Sequence, residues 1–429
     1  MRLGEFIEGF ERDEAAERRR LAKQKSYAIT DHLEEVERQF EQAVQGDTLY
    51  GSTAPEIFVG RADYPNVSTG LLSPMDHDAD PTAFATSGEW YQQGLGIDDV
   101  LQRRTGLLNS ARTTRVDAPG RATGGDTPGV HDVWDGFVGV QREVAIADRP
   151  VDVEVGLDGT PEIDLSVDDI STPTGPRARA TDATLVENPS VPRPVEKTLA
   201  DDDWRAEGAM TYLYERGFDV YDINTILSAG ALGRGRNRRL VPTRWSITAV
   251  DDTVGQFLRG KIRTAPDVDD VRVWYNHYIG NDYWVILAPG NWEFELVELK
   301  APGSIWNPEP DGNYYLAADS EGYEGRTGYV DETAGAYYAS RLAVLEYLTE
   351  RDRQGTCLVI RHASDAYWAP VGVWQIREGV RHAFESEPAV AETFHGAIIE
   401  LADRLPVGLA SLRRKSELVA GVQSQLTDF

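Results

Sequence analysis

The stretch that decides the fold is Val271-Arg-Val-Trp-Tyr-Asn-His-Tyr-Ile-Gly-Asn-Asp-Tyr-Trp-Val-Ile-Leu-Ala-Pro-Gly-Asn-Trp-Glu-Phe-Glu-Leu-Val-Glu-Leu-Lys300. Val271, Val273 and Tyr275 alternate with other residues, as do Trp284 and Ile286 further along. A period of two rich in β-branched and aromatic side chains is typical of β-strands. The stretch therefore predicts consecutive strands at the centre of the second half of the chain.

Helical patterns surround these strands, which makes the predicted fold class mixed α/β. Helices are predicted over 204–217, 223–232 and 333–353, and near 388–404 and 408–418. Further strands are predicted at 245–250, 357–361 and 371–376. Asp203 is the predicted cap of the first of these helices, and Gly217 its predicted end.

The first half of the chain is less regular. Residues 5–44 predict a charged helix, residues 97–108 a second helix, and residues 136–170 strands, whereas the five prolines of 171–197 predict an extended connection. We therefore predict an N-terminal helical segment (1–45) and an irregular, β-rich middle domain (46–197). A C-terminal α/β domain (198–418) and a disordered tail (419–429) follow.

Composition narrows the class of protein. The chain has 429 residues, of which 41% are hydrophobic, and no apolar run approaches the length of a membrane span. Its N-terminus is charged, unlike a secretory signal. Cys357 is the only cysteine, which excludes a disulfide within the chain and a cysteine-rich zinc module. These features predict a cytoplasmic protein without a membrane partner.

The formal net charge of −28 argues against nucleic-acid binding when it is taken alone. However, lysine is scarce and arginine supplies most of the positive charge, a composition that indicates adaptation to a salt-rich cytoplasm. At 1 M salt the Debye length is about 3 Å, so distant surface charges barely interact. DNA therefore remains a predicted partner wherever the local surface is basic, with the protein associated with the nucleoid.

The sequence closes with Gln423-Ser-Gln-Leu426-Thr-Asp-Phe429, in the pattern Gln-x-x-Leu-x-x-Phe of a sliding-clamp docking peptide. One 3₁₀ turn places residues i and i+3 on the same side, so Leu426 and Phe429 can enter one apolar pocket together. Gln423 offers a donor and acceptors at the pocket rim. The alternative is a chance match in a frayed terminus, but a free terminus has no reason to expose Leu and Phe together.

The most basic part of the chain lies between Leu227 and Ser246. Its glycines allow close approach to a ligand, and its arginines have the forked geometry that suits phosphate. The candidate phosphate or DNA ligands are Arg234, Arg236, Arg238, Arg239 and Arg244, with Trp245 as a candidate for stacking on a base. The alternative is a loop whose arginines pair with local acids.

Candidate catalytic residues are Asp282, Glu298 and Lys300. An acid followed about sixteen residues later by Glu-x-Lys on another strand is the layout of many nucleases that use Mg²⁺ or Mn²⁺. Period two places Glu298 and Lys300 on one face. The alternative is an ion pair along a structural strand, so whether the protein is an enzyme stays open.

Other candidate functional residues give weaker predictions. Residues 76–80 (Asp-His-Asp-Ala-Asp) could hold a metal, although an acidic surface loop explains them better. Cys357 is predicted to be a core residue, and no activated nucleophile stands beside His362 and Asp365. No phosphate-binding loop or dinucleotide fingerprint is present, which argues against ATP-driven chemistry.

Several stretches together resemble the archaeal Nre family of DNA-repair proteins. They are residues 52–61 (Ser-Thr-Ala-Pro-Glu-Ile-Phe-Val-Gly-Arg) with Tyr64-Pro65, residues 226–233, residues 240–252 (Leu-Val-Pro-Thr-Arg-Trp-Ser-Ile-Thr-Ala-Val-Asp-Asp) and the terminal docking pattern. The resemblance implies a role in DNA repair with the sliding clamp PCNA, contacted through Gln423, Leu426 and Phe429. Many members begin with a zinc-finger-like cysteine segment, which is missing here, so zinc is not expected.

Three functions follow from these observations. The first is a DNA-repair accessory factor that PCNA recruits to DNA, where other repair proteins also act. The second is a metal-dependent nuclease that uses the candidate catalytic residues, or another DNA-processing enzyme that acts at lesions. The third is a non-catalytic scaffold that recruits a separate repair enzyme.

Overall fold

A computed structural model describes residues 44–45, 47–76, 78–121, 136–162, 174–307 and 312–421. The strands are β1 (Val44–Gln45), β2 (Thr48–Ser52), β3 (Ile57–Val59), β4 (Asn66–Pro74), β5 (Leu107–Arg115), β6 (Asp152–Glu162), β7 (Arg177–Leu185), β8 (Val271–Tyr278), β9 (Asn281–Ala288), β10 (Glu293–Lys300), β11 (Tyr315–Glu321), β12 (Thr356–Ala363) and β13 (Ala389–Ala391). The α-helices are Glu89–Gln92, Ile97–Thr105, Ala118–Arg121, Gly136–Ile146, Arg193–Ala200, Ala206–Glu215, Val220–Ser228, Thr243–Ile262, Gly335–Glu350, Trp374–Ala383, Phe394–Ala402, Leu409–Lys415 and Glu417–Gly421. The fold class is mixed α/β, as predicted.

The stretch from 271 to 300 supplies three strands of one sheet, whose order is β11-β10-β12-β9-β8-β13. β8 and β9 form a hairpin whose turn residues, Ile279 and Gly280, both have positive φ, as a tight two-residue turn requires. β10 does not pair with β9, because β12 lies between them, parallel to β10 and antiparallel to β9. This order is set by pairing between distant segments.

Helices cover both faces of this sheet. Tyr283, Val285 and Leu287 pack into the core formed with the helices Thr243–Ile262, Gly335–Glu350 and Trp374–Ala383. Trp284 and Ile286, which alternate with them, pack on the other side against the helices Phe394–Ala402 and Leu409–Lys415. Burial on both faces explains the continuous apolar run of β9 from Tyr283 to Ala288.

The other sheet has the strand order β1-β2-β6-β7-β5-β4-β3. The helix Gly136–Ile146 packs on its inner face, together with Ala229 and Leu240 from the second half of the chain. The helices Val220–Ser228 and Thr243–Ile262 both contact β3, so they join the two sheets. No helix in the described ranges is long and apolar enough to cross a membrane.

Three predicted strands are wrong, because longer windows carry a helical period. Residues 245–250 lie inside the helix Thr243–Ile262, whose inward residues recur every four positions. Residues 136–146 form a helix in which Phe137, Val140 and Val144 are buried on one side. Residues 374–376 begin the helix Trp374–Ala383.

The proline-rich stretch 171–197 is also more ordered than predicted. In its described part, β7 lies at the centre of its sheet, between β6 and β5, and Arg193 begins a helix. Arg205, and not Asp203, is the residue before the helix Ala206–Glu215, while Gly217 follows that helix with a φ of 88°. The helix predicted over 5–44 and the tail predicted to be disordered fall almost wholly outside the described residues. The domain limits stay a prediction.

A buried carboxylate fixes the loop before the helix Gly335–Glu350. Asp319, on β11, accepts hydrogen bonds from the backbone N–H groups of Asp331, Glu332 and Thr333 at 2.8–3.0 Å. The Thr333 hydroxyl donates a fourth, at 2.7 Å. Burial alone would raise the pKa of Asp319, but these hydrogen bonds outweigh it and hold that pKa below its ordinary value.

Asp319→Asn is therefore expected to change the pH dependence of stability. The pKa of this carboxyl is lower in the folded protein than in the unfolded chain, where it is about 4. The ionised carboxylate therefore stabilises the fold fully above the pKa of the unfolded chain, and this contribution is lost as the pH falls through the pKa of the folded protein. Denaturant unfolding between neutral and acidic pH should show the variant less stable by about 1.5–3 kcal/mol at neutral pH. The gap should close as the pH falls below about 4. A gap that does not change with pH would contradict this assignment.

Candidate functional site

A cleft of about 1840 Å³ lies between the two sheets. Phe58 and Ser68 line it from β3 and β4, Trp245 from the helix Thr243–Ile262, and Lys300 and Arg361 from β10 and β12. Small-molecule pockets are typically about 300–1,000 Å³, so the cleft has room for an extended ligand.

The stretches that resemble the Nre family meet at one wall of this cleft. The backbone N–H of Val59 donates to the Thr243 hydroxyl at 2.9 Å, which joins residues 52–61 to residues 240–252. The Ser228 hydroxyl donates to the carbonyl of Val241 at 2.8 Å, which joins residues 226–233 to the same segment. Residues that are far apart in the sequence thus build one rigid wall.

Exposed arginines and aromatic rings lie at the mouth of the cleft. Arg61, Arg177 and Arg244 all line it and are all exposed. The rings of Tyr64 and Trp245 contact each other, with centroids 5.3 Å apart, and remain 47% and 45% exposed. The mouth therefore offers positive charge and apolar ring surface side by side.

The structure separates the predicted basic segment into three groups. Arg244 and Trp245 lie at the cleft, in the first turn of the helix Thr243–Ile262. A second group is exposed but does not line the cleft, and it consists of Arg234, Arg236 and Arg239. Within that group, Arg234 donates a hydrogen bond to the carbonyl of Asp203 at 3.2 Å.

Arg238 alone forms the third group, and its predicted role as a phosphate ligand needs correction. Its side chain is buried, with 4% exposure, and donates to the carbonyls of Gly233 at 3.0 Å and Leu199 at 2.9 Å. The guanidinium also lies 3.6 Å from the carboxylate of Asp202. Arg238 therefore satisfies carbonyl groups at the end of the helix Arg193–Ala200 and does not reach a surface open to phosphate.

Glu298 and Lys300 lie together on the floor of the cleft. The Glu298 carboxylate is 3.2 Å from Lys300 Nζ and 2.5 Å from Arg361 Nη1. Burial alone would raise the pKa of Glu298, but these two positive charges outweigh it and hold that pKa below its ordinary value. One carboxylate shared by two cations leaves the floor with a surplus of positive charge, which suits an anionic ligand better than a metal cation.

Asp282 lies on the opposite face of the sheet. It pairs with His362 across the β9–β12 ladder, whereas Glu298 pairs with Arg361 across the β10–β12 ladder. Successive residues of β12 point to opposite faces, so Asp282 cannot share a ligand with Glu298 and Lys300. The three candidate catalytic residues are thus not brought together.

On its own face Asp282 accepts hydrogen bonds from two histidines and a tyrosine. His277 Nδ1 lies 2.8 Å from one carboxylate oxygen, His362 Nδ1 lies 3.0 Å from the other, and the Tyr275 hydroxyl donates at 2.7 Å. Burial alone would raise the pKa of Asp282, and the hydrogen bonds lower it below its ordinary value.

The described residues contain no cluster of three or more His, Cys, Asp or Glu side chains suited to a metal. In the acidic stretch 76–80, position 77 lies outside the described residues, and Asp80 caps the turn Pro81–Phe84 by accepting from the backbone N–H of Thr82 at 3.0 Å. Cys357 is fully buried in β12, as predicted, and burial raises the pKa of its thiol.

Comparison with known proteins identifies the family. Residues 21–307 match the family model "Archaeal Nre, N-terminal", and residues 321–429 match "Archaeal Nre, C-terminal". The chain belongs to the archaeal Nre family. The first model ends after β10 and the second begins at Glu321, the last residue of β11, so residues 308–320 lie in neither match.

The chain is similar to other Nre proteins over most of its length. It is 65% identical to "DNA repair protein NreA" of Haloferax volcanii over 431 residues, which cover 100% of both chains. It is 38% identical to "DNA repair protein NreA" of Archaeoglobus fulgidus, over 82% of this chain and 84% of that protein. The "DNA repair protein NreB" of Archaeoglobus fulgidus is 34% identical, over 90% and 93%. No solved structure matches the chain.

Sequence reasoning missed Arg61, Arg177 and Arg361, which line the cleft, and Tyr64, whose ring contacts that of Trp245. Arg61 and Tyr64 belong to stretches that carry the Nre resemblance, so that resemblance could have pointed to them. Arg177 and Arg361 reach the cleft through pairing between distant strands, and no local pattern marks them.

Proposed function

We propose that this protein is a DNA-repair factor that the sliding clamp PCNA brings to DNA through Gln423, Leu426 and Phe429. The observation that carries the proposal is the docking pattern at 423–429, in a family whose relatives bear the name DNA repair protein. The tail residues lie outside the described part of the chain, so the argument for them rests on their chemistry.

The segment before the docking peptide is held firmly on the body. Glu295, on β10, accepts from the Ser416 hydroxyl at 2.6 Å and from the backbone N–H groups of Glu417 at 2.7 Å and Leu418 at 3.0 Å. This carboxylate thereby satisfies the first N–H groups of the helix Glu417–Gly421. An extended chain spans at most about 3.6 Å per residue, so Phe429 can reach no further than roughly 29 Å from Gly421.

The body then contacts DNA at the mouth of the cleft. Arg61, Arg177 and Arg244 supply forked donors for phosphate, and Lys300 and Arg361 add positive charge on the floor. In a chain of net charge −28 such contacts are individually weak. Tethering to the clamp raises the effective concentration of the body at DNA and offsets this weakness.

The two alternatives differ from this proposal in what they require. A nuclease that uses Asp282 with Glu298 and Lys300 would need those residues on one face, and they lie on two. A pure scaffold would need no exposed arginines at the mouth of the cleft, and it predicts no binding to DNA. The geometry therefore favours a factor that binds DNA.

Phe429→Ala is expected to remove most of the affinity for PCNA while leaving the fold unchanged. Burying one phenylalanine side chain contributes about 2 kcal/mol, which corresponds to roughly a thirtyfold change in Kd. Fluorescence anisotropy of the labelled full-length protein, titrated with PCNA, measures the change.

The matched control is Ser424→Ala, which alters a position that the docking pattern leaves free. It should bind PCNA as the wild type does. Equal affinity of the Phe429→Ala variant and the wild type would overturn the docking assignment.

A further inference from the structure

We propose that Tyr64 and Trp245 form a stacking platform for an unpaired base, and that single-stranded DNA is the ligand preferred by the cleft. The inference rests on the proposed DNA contact and names the form of DNA that the contact selects. It depends on three observations: where the two rings lie, how they are held, and which charges surround them.

The two rings expose large apolar surface at a place where the fold does not need it. Each is nearly half exposed, and their main aromatic neighbour is the other ring, at 5.3 Å and an interplanar angle of 51°. Neither belongs to one of the buried core clusters. A tilted pair open to solvent leaves ring faces available to a third planar group.

Both rings are attached to rigid backbone. Trp245 stands in the first turn of the helix Thr243–Ile262, where its backbone N–H donates to the carbonyl of Pro242 at 2.7 Å. Tyr64 stands in the short connection between β3 and β4, which is closed by the hydrogen bond from Gly60 N–H to Ser68 O at 2.7 Å. A platform held by two fixed elements loses little conformational entropy when a ligand stacks on it.

The charges around the platform suit the sugar-phosphate backbone of a single strand. Arg61 lines the same mouth and forms no ion pair with any residue in the described ranges, and Arg244 directly precedes Trp245. Arg177 donates to the Ser68 hydroxyl on β4. Carboxylates also line the cleft, Asp63 among them, so the attraction to phosphate is local to the exposed arginines. Because salt screens that attraction, binding should weaken as the salt concentration rises.

The preference for a single strand follows from stacking itself. In a duplex both faces of an interior base are covered by its neighbours, so an aromatic platform gains nothing from it. An unpaired base has a free face, and aromatic stacking on it is tolerant of sequence. Duplex DNA would then contact the arginines alone.

The test measures binding of the full-length protein to three labelled probes by fluorescence anisotropy. The probes are a single-stranded oligonucleotide of mixed sequence, its duplex, and a strand of the same length built from abasic nucleotides. The abasic strand carries the same phosphates without the bases. The variants are Trp245→Ala, Trp245→Phe and Tyr64→Ala, with Tyr50→Ala as the matched control, because Tyr50 is 56% exposed and does not line the cleft.

We expect the wild type to prefer the single strand over the other two probes. Trp245→Ala should weaken binding to the single strand by roughly tenfold, Trp245→Phe should retain most of it, and the affinities for the duplex and abasic strands should change less than about twofold. Tyr50→Ala should bind as the wild type does. Circular dichroism confirms that each variant is folded.

An equal loss on all three probes, no loss on the single strand, or a wild type that prefers the duplex would each overturn the platform. Binding of PCNA is measured with the same variants. If they bind PCNA normally but the wild type does not bind DNA, the platform is excluded while the clamp proposal stands.

Discussion

Asp251→Ala is expected to lower the free energy of unfolding by about 3–5 kcal/mol. Both carboxylate oxygens of Asp251 accept from Arg377 Nη2 at 2.7 Å, and the two residues are 0% and 2% exposed. Removing the carboxylate leaves the guanidinium charged and almost fully shielded from water. The pair also joins the segment matched by the N-terminal Nre model to the segment matched by the C-terminal one.

The matched control is Glu324→Ala, which breaks the exposed ion pair with Arg263 at the same distance of 2.7 Å. Exposed pairs contribute less than about 1 kcal/mol, so this variant should be almost as stable as the wild type. Denaturant unfolding of both variants measures the contrast. If Asp251→Ala were no more destabilising than Glu324→Ala, the buried pair would not hold the two parts of the chain together.

Reversal of Arg61, Arg177 and Arg244 to glutamate is expected to reduce affinity for DNA by roughly a hundredfold at moderate salt, because three attractions to phosphate become three repulsions. Each arginine that neutralises a phosphate releases counterions. The slope of log K against log salt should therefore become shallower by about 0.9 for each phosphate that is no longer neutralised. Anisotropy titrations of one labelled oligonucleotide at several salt concentrations measure both quantities.

Two variants make this experiment specific. Arg404→Glu changes an exposed arginine that does not line the cleft, and it should weaken binding only slightly. A triple reversal of Arg234, Arg236 and Arg239 tests the remainder of the basic segment in the same way. A larger drop in affinity from this second triple than from the first would move the DNA-binding surface away from the cleft.

The sequence was most successful in predicting elements whose side-chain pattern depends only on residues that are close together along the chain. The alternation from 271 to 300 correctly predicted β8, β9 and β10, because one strand's side-chain pattern needs no information from other segments. The apolar run around Cys357 predicted β12 for the same reason. The strand predicted at 245–250 was wrong, since a short window cannot distinguish a buried helix from a strand.

The candidate site depended on pairing that the sequence does not show. Glu298 and Lys300 lie two residues apart on one strand, so their common face followed from period two, and the structure has them 3.2 Å apart. The position of Asp282 depends on β12, which inserts between β9 and β10 from about sixty residues further along. Arg238 was misjudged because burial in a loop leaves no periodic signal.

The most direct measurement of the central claim is a calorimetric titration of PCNA with the full-length protein and with a version that lacks residues 423–429. Our account predicts micromolar affinity, about −8 kcal/mol, for the full-length protein and no detectable heat of binding for the shortened one. Both versions should unfold at the same denaturant concentration, because Glu295 and the helix that it holds are retained in each. Equal binding by both versions, or no binding by either, would contradict recruitment through Gln423, Leu426 and Phe429.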